Sequence, residues 1–184
     1  MENKMTKAYV KNMVLCSFGA VLMCICSWIM VPFIPVPFTM QSFGVFFAVL
    51  VLGEKRGTLS VLLYILLGLV GVPVFSGFGS GLGALSGYSG GFIIGFLVEC
   101  VICLIAVRLA GDSEKVRLTA LGTGQLCCYS LGWLWFVCLS RLSGSGAGWL
   151  GALSVTVLPF VIPDGIKLFL ALLLSRRLKK YVKL

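Results

Sequence analysis

Asp164 and Lys167 carry opposite charges three residues apart, inside Pro163-Asp164-Gly165-Ile166-Lys167-Leu168-Phe169-Leu170, in a stretch that is otherwise apolar. An ionised side chain at membrane depth costs about 2.5–3.5 kcal/mol on insertion scales, so such residues are usually functional. On a helix, an i, i+3 spacing puts both on one face. Together they offer an acceptor and a donor to one point. That chemistry suits binding a polar ligand, a self-neutralising structural ion pair, or a proton relay. Ligand binding is the favoured reading, because the pair faces the end of the chain's hydrophobic spans where glycine-rich and proline-rich connections converge.

Other chemistry is excluded or weak. The chain has no histidine, which removes the commonest neutral-pH base and metal ligand. No nucleophile elbow or close pair of carboxylates is present, so the sequence reads as a non-enzyme with no catalytic or metal site. The eight cysteines all fall in apolar runs. Cys100 and Cys103 have redox or metal spacing but read as small apolar packing. Gly77-Phe78-Gly79-Ser80-Gly81-Leu82-Gly83 lacks the Gly-Lys-Ser/Thr continuation of a phosphate loop. Its backbone groups can still approach a ligand closely. Glu99 lies on a Gly91, Gly95, Glu99, Cys103 stripe at i, i+4 spacing, which should face protein. Its partner is open: a proton, Gln125 or Tyr129, or the ligand. Cys16, Ala20 and Cys24 form a small-residue ridge, either for internal packing or for docking a membrane partner.

These residues need elements to hold them. Of 184 residues, 59% are hydrophobic and 11% charged, against about 45–50% and about 25% in soluble domains. The chain is therefore read as an all-α integral membrane protein, one domain over residues 1–184, with six transmembrane helices. The spans are drawn at 9–31, 38–53, 57–72, 90–110, 118–140 and one ending at 178. The second and third are short, ~24 Å each. Residues 149–178 as one helix would run ~45 Å, against a hydrocarbon core of ~30 Å. Either that helix kinks at Pro159 and Pro163, or a short outer segment precedes a helix that starts near Pro163. The second option places Asp164 in a first turn. The apolar stretch at 9–31 is too long for a cleavable signal.

The net charge of +9 is distributed as the positive-inside rule expects, not as a nucleic-acid surface. With both termini cytoplasmic, every lysine and arginine except Arg141 and Lys167 falls on the inner side. The basic tail then meets anionic lipid headgroups. The outer connections are Pro32-Phe33-Ile34-Pro35-Val36-Pro37, the glycine-rich 71–91 and the segment 143–148. Three closely spaced prolines exclude a helix interior. The uncharged glycine-rich loop is expected to fold back over the helix ends and line a cavity.

Three blocks resemble the BioY family, the biotin-specific substrate-binding (S) components of energy-coupling factor (ECF) transporters. They are Ile34-Pro35-Val36-Pro37-Phe38-Thr39-Met40-Gln41; the run from Gly57 to Phe75 with the glycine loop and Gly90-Gly91; and Pro159-Phe160 followed by Pro163-Asp164-Gly165-Ile166-Lys167. The resemblance spans essentially the whole chain. It implies a multi-pass protein of the plasma (inner) membrane that binds biotin near the outer face, with no cofactor. It also implies partners: a transmembrane T component and two cytoplasmic ATPases. By this resemblance Asp164 and Lys167 are the ligand pair, and Gln41, Ser80 and Gly81 line the site. Ser80 stands where the family often has asparagine. Phe75, Phe78, Tyr88 and Trp133 are wall candidates, and Cys16, Ala20 and Cys24 dock the T component. Two alternatives stay open: an S component for another vitamin, and a stand-alone secondary transporter of a small carboxylate. Against the latter, no internal repeat is visible.

Overall fold

A computed structural model describes residues 2–144, 146 and 148–181, without the side chains of 2–4; Ser145 and Ala147 of the third outer connection, and Lys183 of the tail, lie outside the described residues. The described chain is helical almost throughout. The helices are α1 (Glu2–Trp28), α2 (Gln41–Leu52), α3 (Glu54–Leu69), α4 (Gly81–Leu85), α5 (Gly90–Ala110), α6 (Glu114–Leu142), α7 (Trp149–Thr156) and α8 (Leu158–Tyr181). Among the described residues, three segments are long and apolar enough to cross a membrane: Met5–Trp28, Gly90–Ala110 and Trp149–Tyr181, with α2 a shorter apolar helix. The protein is a multi-pass membrane protein.

Expected and observed elements agree in kind and differ at their ends. The fourth expected span coincides with α5. The proline block adopts no helix, as required, but is framed by a pairing not anticipated. Strands β1 (Met30–Val31) and β2 (Phe38–Thr39) run antiparallel, with Met30 opposite Thr39 and Val31 opposite Phe38. This closes the prolines into a hairpin and fixes where Phe38 and Thr39 face. The glycine-rich connection holds a 3-10 turn, Ser76–Phe78, and α4.

The last span needs a correction. A short helix does precede the long one, but the break falls at Val157, and α8 begins at Leu158. Pro159 takes the early position, where a missing N–H costs nothing. Pro163 lies inside the helix, and Asp164 is therefore beyond the first turn.

α5 and α6 form the most extensive helix pair, and α2 bridges α8, α3 and α1. The α5 stripe faces α6 as its small residues predict. A Cβ at Gly95 would stand 2.9 Å from Cys128 Cα, and one at Gly124 would stand 2.9 Å from Glu99 Cα. Only glycine permits that approach. The main core collects Met23, Val45, Phe46, Tyr64, Phe75, Ile93 and Leu121 from five helices and the glycine-rich connection, with Cys100 and Cys103 packed among them.

The charged ends meet at the pole away from the prolines. Arg117 pairs with Asp112 at 2.6 Å and Glu54 at 3.5 Å. Arg56 Nε donates to Asn12 Oδ1 at 2.9 Å, and Arg176 Nε donates to Glu114 Oε1 at 3.1 Å. These contacts tie α1, α3, α6 and α8 together ~18 Å along α8 from Asp164.

Candidate ligand-binding site

Four elements build the site. α8 supplies Asp164 and Lys167, which are 5% and 4% exposed. The start of α2 supplies Gln41 and Ser42, α6 supplies Gln125 and Tyr129, and the hairpin supplies Phe38 and the Thr39 carbonyl. Lys167 Nζ donates to Asp164 Oδ1 at 2.7 Å, to the Thr39 carbonyl at 2.7 Å and to Ser42 Oγ at 3.1 Å. It also stands 4.0 Å from the centroid of the Phe38 ring, within reach of a cation–π contact. Asp164 Oδ1 also accepts from Ser42 Oγ at 2.7 Å. Its Oδ2 accepts from Tyr129 at 2.8 Å and from Gln125 Nε2 at 3.3 Å.

Each ammonium proton thus has an acceptor and each carboxylate oxygen has two donors. This saturation lets two charges persist in a low-dielectric interior. A ligand arriving here exchanges one of these bonds for its own.

Beside the pair lies a cavity of about 40 Å³, lined by both charged residues and by Val36, Gln41, Ser76, Phe92, Phe96 and Phe160 among others. Its chemistry is a charged and hydrogen-bonding floor under aromatic walls, the combination that orients a small amphipathic molecule.

Of the residues read from the sequence, Asp164, Lys167 and Gln41 line this cavity. Gln41 also fixes its own position: Nε2 donates to Tyr64 at 2.5 Å and Oε1 accepts from Thr39 Oγ1 at 3.0 Å. The others lie elsewhere. Phe75 is buried in the main core, edge-on to Tyr64 at 5.4 Å. Gly68 leaves the space its ring fills. Ser80 precedes α4, and Gly81 opens it at φ +73°. Tyr88 packs on Phe136 at 5.1 Å, Phe78 is exposed against Trp28, and Trp133 packs on Trp149. The cavity's aromatic walls come instead from Phe92, Phe96, Tyr129 and Phe160.

The residues of the expected docking ridge lie inside this chain. Cys16, Ala20 and Cys24 are all buried. Cys16 Sγ faces the Arg56 carbonyl at 3.7 Å, and Ala20 and Cys24 belong to the main core. Their small side chains let α1 pack closely within this chain, so they present no surface to a partner. The outward face of α1 carries Tyr9, Met13, Phe18, Val21 and Ile25.

The sequence reading missed Ser42 and did not link Gln125 and Tyr129 to Asp164. The signal was available for two of them. Gln125 and Tyr129 are i, i+4 polar residues within an apolar run, hence on one face.

Comparison with known proteins agrees with this architecture. The BioY family profile matches residues 1–184. A probable biotin transporter BioY of Pyrococcus horikoshii is 40% identical, covering 79% of this chain and 82% of its own length. The biotin transporter BioY of Thermotoga maritima is 40% identical, covering 84% and 87%. The crystal structure of the S-component for biotin from an ECF-type ABC transporter superposes with a TM-score of 0.80 at 27% identity, covering 96% of this chain and 94% of that one.

Proposed function

The chain belongs to the BioY family, and on that premise we propose that it captures biotin as the S component of an ECF-type transporter. The observation that carries the reading is the Asp164–Lys167 pair, buried and fully hydrogen-bonded beside an aromatic-walled cavity. Biotin presents two ureido N–H donors, a ureido carbonyl, an apolar bicycle and a carboxylate tail. Asp164 accepts from the ureido N–H groups, and Tyr129, Gln125 and Ser42 keep its carboxylate oriented. Lys167 donates to the ureido carbonyl or to the tail carboxylate. Phe92, Phe96 and Phe160 enclose the apolar part.

The same reading assigns six spans to α1, α2, α3, α5, α6 and α8, in one domain. Both termini and the Arg117 and Arg176 ion pairs lie on the cytoplasmic side of the plasma (inner) membrane. Energy comes from partners, a T component and two ATPases, and the chain itself catalyses no reaction.

Calorimetric titration of the purified chain in detergent tests the assignment. Biotin should bind one-to-one, with riboflavin and thiamine failing to bind and desthiobiotin binding more weakly. Tight riboflavin or thiamine binding without biotin binding would move the protein to another vitamin.

A further inference from the structure

Glu99 is the one buried carboxyl among the described residues that the biotin reading does not use. It lies in the middle of α5, fully buried, and neither of its oxygens has a hydrogen-bond partner. Its side chain rests on Gly124, where a Cβ would come within 2.7 Å of Glu99 Cγ. The next residue along α6 is Gln125, whose Nε2 donates to Asp164 Oδ2 while its buried Oε1 also lacks a partner. Two side chains across the most extensive helix pair therefore leave three buried acceptor oxygens with no donor.

The charges nearby supply none. The charged group acting on Glu99 is Asp164 on α8, and the other titratable groups around it are the thiols of Cys128 on α6 and of Cys100 and Cys103 on its own helix. The cation of the cluster, Lys167, is committed to Asp164, Ser42 and Thr39. A buried carboxylate with neither counter-ion nor donor is among the costliest arrangements in a protein. One proton resolves it, since a carboxylic acid carries the missing donor.

We propose that Glu99 is a positioning residue for the Asp164 site: it holds a proton, donates it to Gln125 Oε1, and so fixes the amide whose Nε2 grips Asp164. The chain Glu99–Gln125–Asp164 extends the ligand site one layer into the α5–α6 interface. The positioning role rests on the biotin reading; the proton does not.

Two variants and two readouts test it. Infrared spectroscopy of the purified protein should show a carboxylic-acid carbonyl band that is sensitive to deuterium exchange and absent from Glu99→Gln. Glu99→Gln keeps an N–H donor for Gln125 and should bind biotin as the wild type does. Glu99→Leu fills the space without a donor and should weaken biotin binding about tenfold, the usual scale of one lost buried hydrogen bond. Absence of the acid band overturns the inference, as does wild-type affinity in Glu99→Leu or an equal loss in both variants. An acid band in a wild-type protein that binds no biotin would refute the biotin reading and leave the Glu99 proton standing.

Discussion

At the residue scale, the site is governed by the difference between removing one charge and removing two. Lys167→Met leaves Asp164 charged and buried with only Ser42, Gln125 and Tyr129 as donors. Breaking a buried pair from one side costs about 3–5 kcal/mol, and a thermal melt in detergent should show a loss of that order. Tyr129→Phe is subtler. It removes the shorter of the two donors to Asp164 Oδ2 and should lower biotin affinity about tenfold, measured by titration. Asp164 and Lys167 were legible in the sequence because a charge stands out against an apolar background. Ser42 was not, since a serine beside a glutamine at a helix start has no distinguishing pattern. The Thr39 carbonyl could not be read at all. Its placement depends on a two-residue strand pairing that no local periodicity announces.

At the element scale, the small-residue ridge shows how one pattern serves two purposes. Close helix approach requires Cys16, Ala20 and Cys24 whether the neighbouring helix is in the same chain or another. The burial of Ala20 at 1% decides for the former. Ala20→Leu should therefore destabilise the fold by about 1–3 kcal/mol through overpacking, seen as a lower melting temperature before any partner is added. Unchanged stability with impaired partner docking would restore the docking assignment. The tie between α6 and α8 behaves differently. The Arg176 hydrogen bond holds the Glu114 carboxyl below the usual glutamate range. A carboxyl lowered in the folded state stabilises above its ordinary range, and the contribution is lost as pH falls through the lowered value. Both side chains are 41% exposed or more, so screening keeps the effect small. Arg176→Gln should change the melting temperature little at neutral pH and flatten its fall on the acid side. Helix identity was legible in α1, α5 and the final segment because each is a long apolar run. The break at Val157 was not, because two prolines offered equally good stopping points and only packing chose between them.

At the scale of the whole molecule, polarity divides the chain into two ends. Arg117, Arg176, Glu54, Asp112 and Glu114 meet at one pole, while prolines and uncharged glycines cover the other, above the Asp164 cavity. The capture reading needs that division: an open side for the ligand and a basic, lipid-facing side from which partners supply energy. Reconstituted vesicles containing the chain alone should show binding without concentrative uptake. Adding T component and ATPases should give ATP-dependent uptake that an uncoupler does not abolish. Uncoupler-sensitive accumulation by the chain alone would identify a secondary transporter.

The most direct measurement compares biotin titration of the wild type with that of Asp164→Asn/Lys167→Gln, each beside a thermal melt. Neutralising both partners removes the charges together, so the double variant should remain folded. The wild type is predicted to bind biotin one-to-one and the folded double variant to lose that binding. Wild-type affinity in a folded double variant would contradict the account, leaving the Asp164–Lys167 pair as an internal ion pair and nothing more.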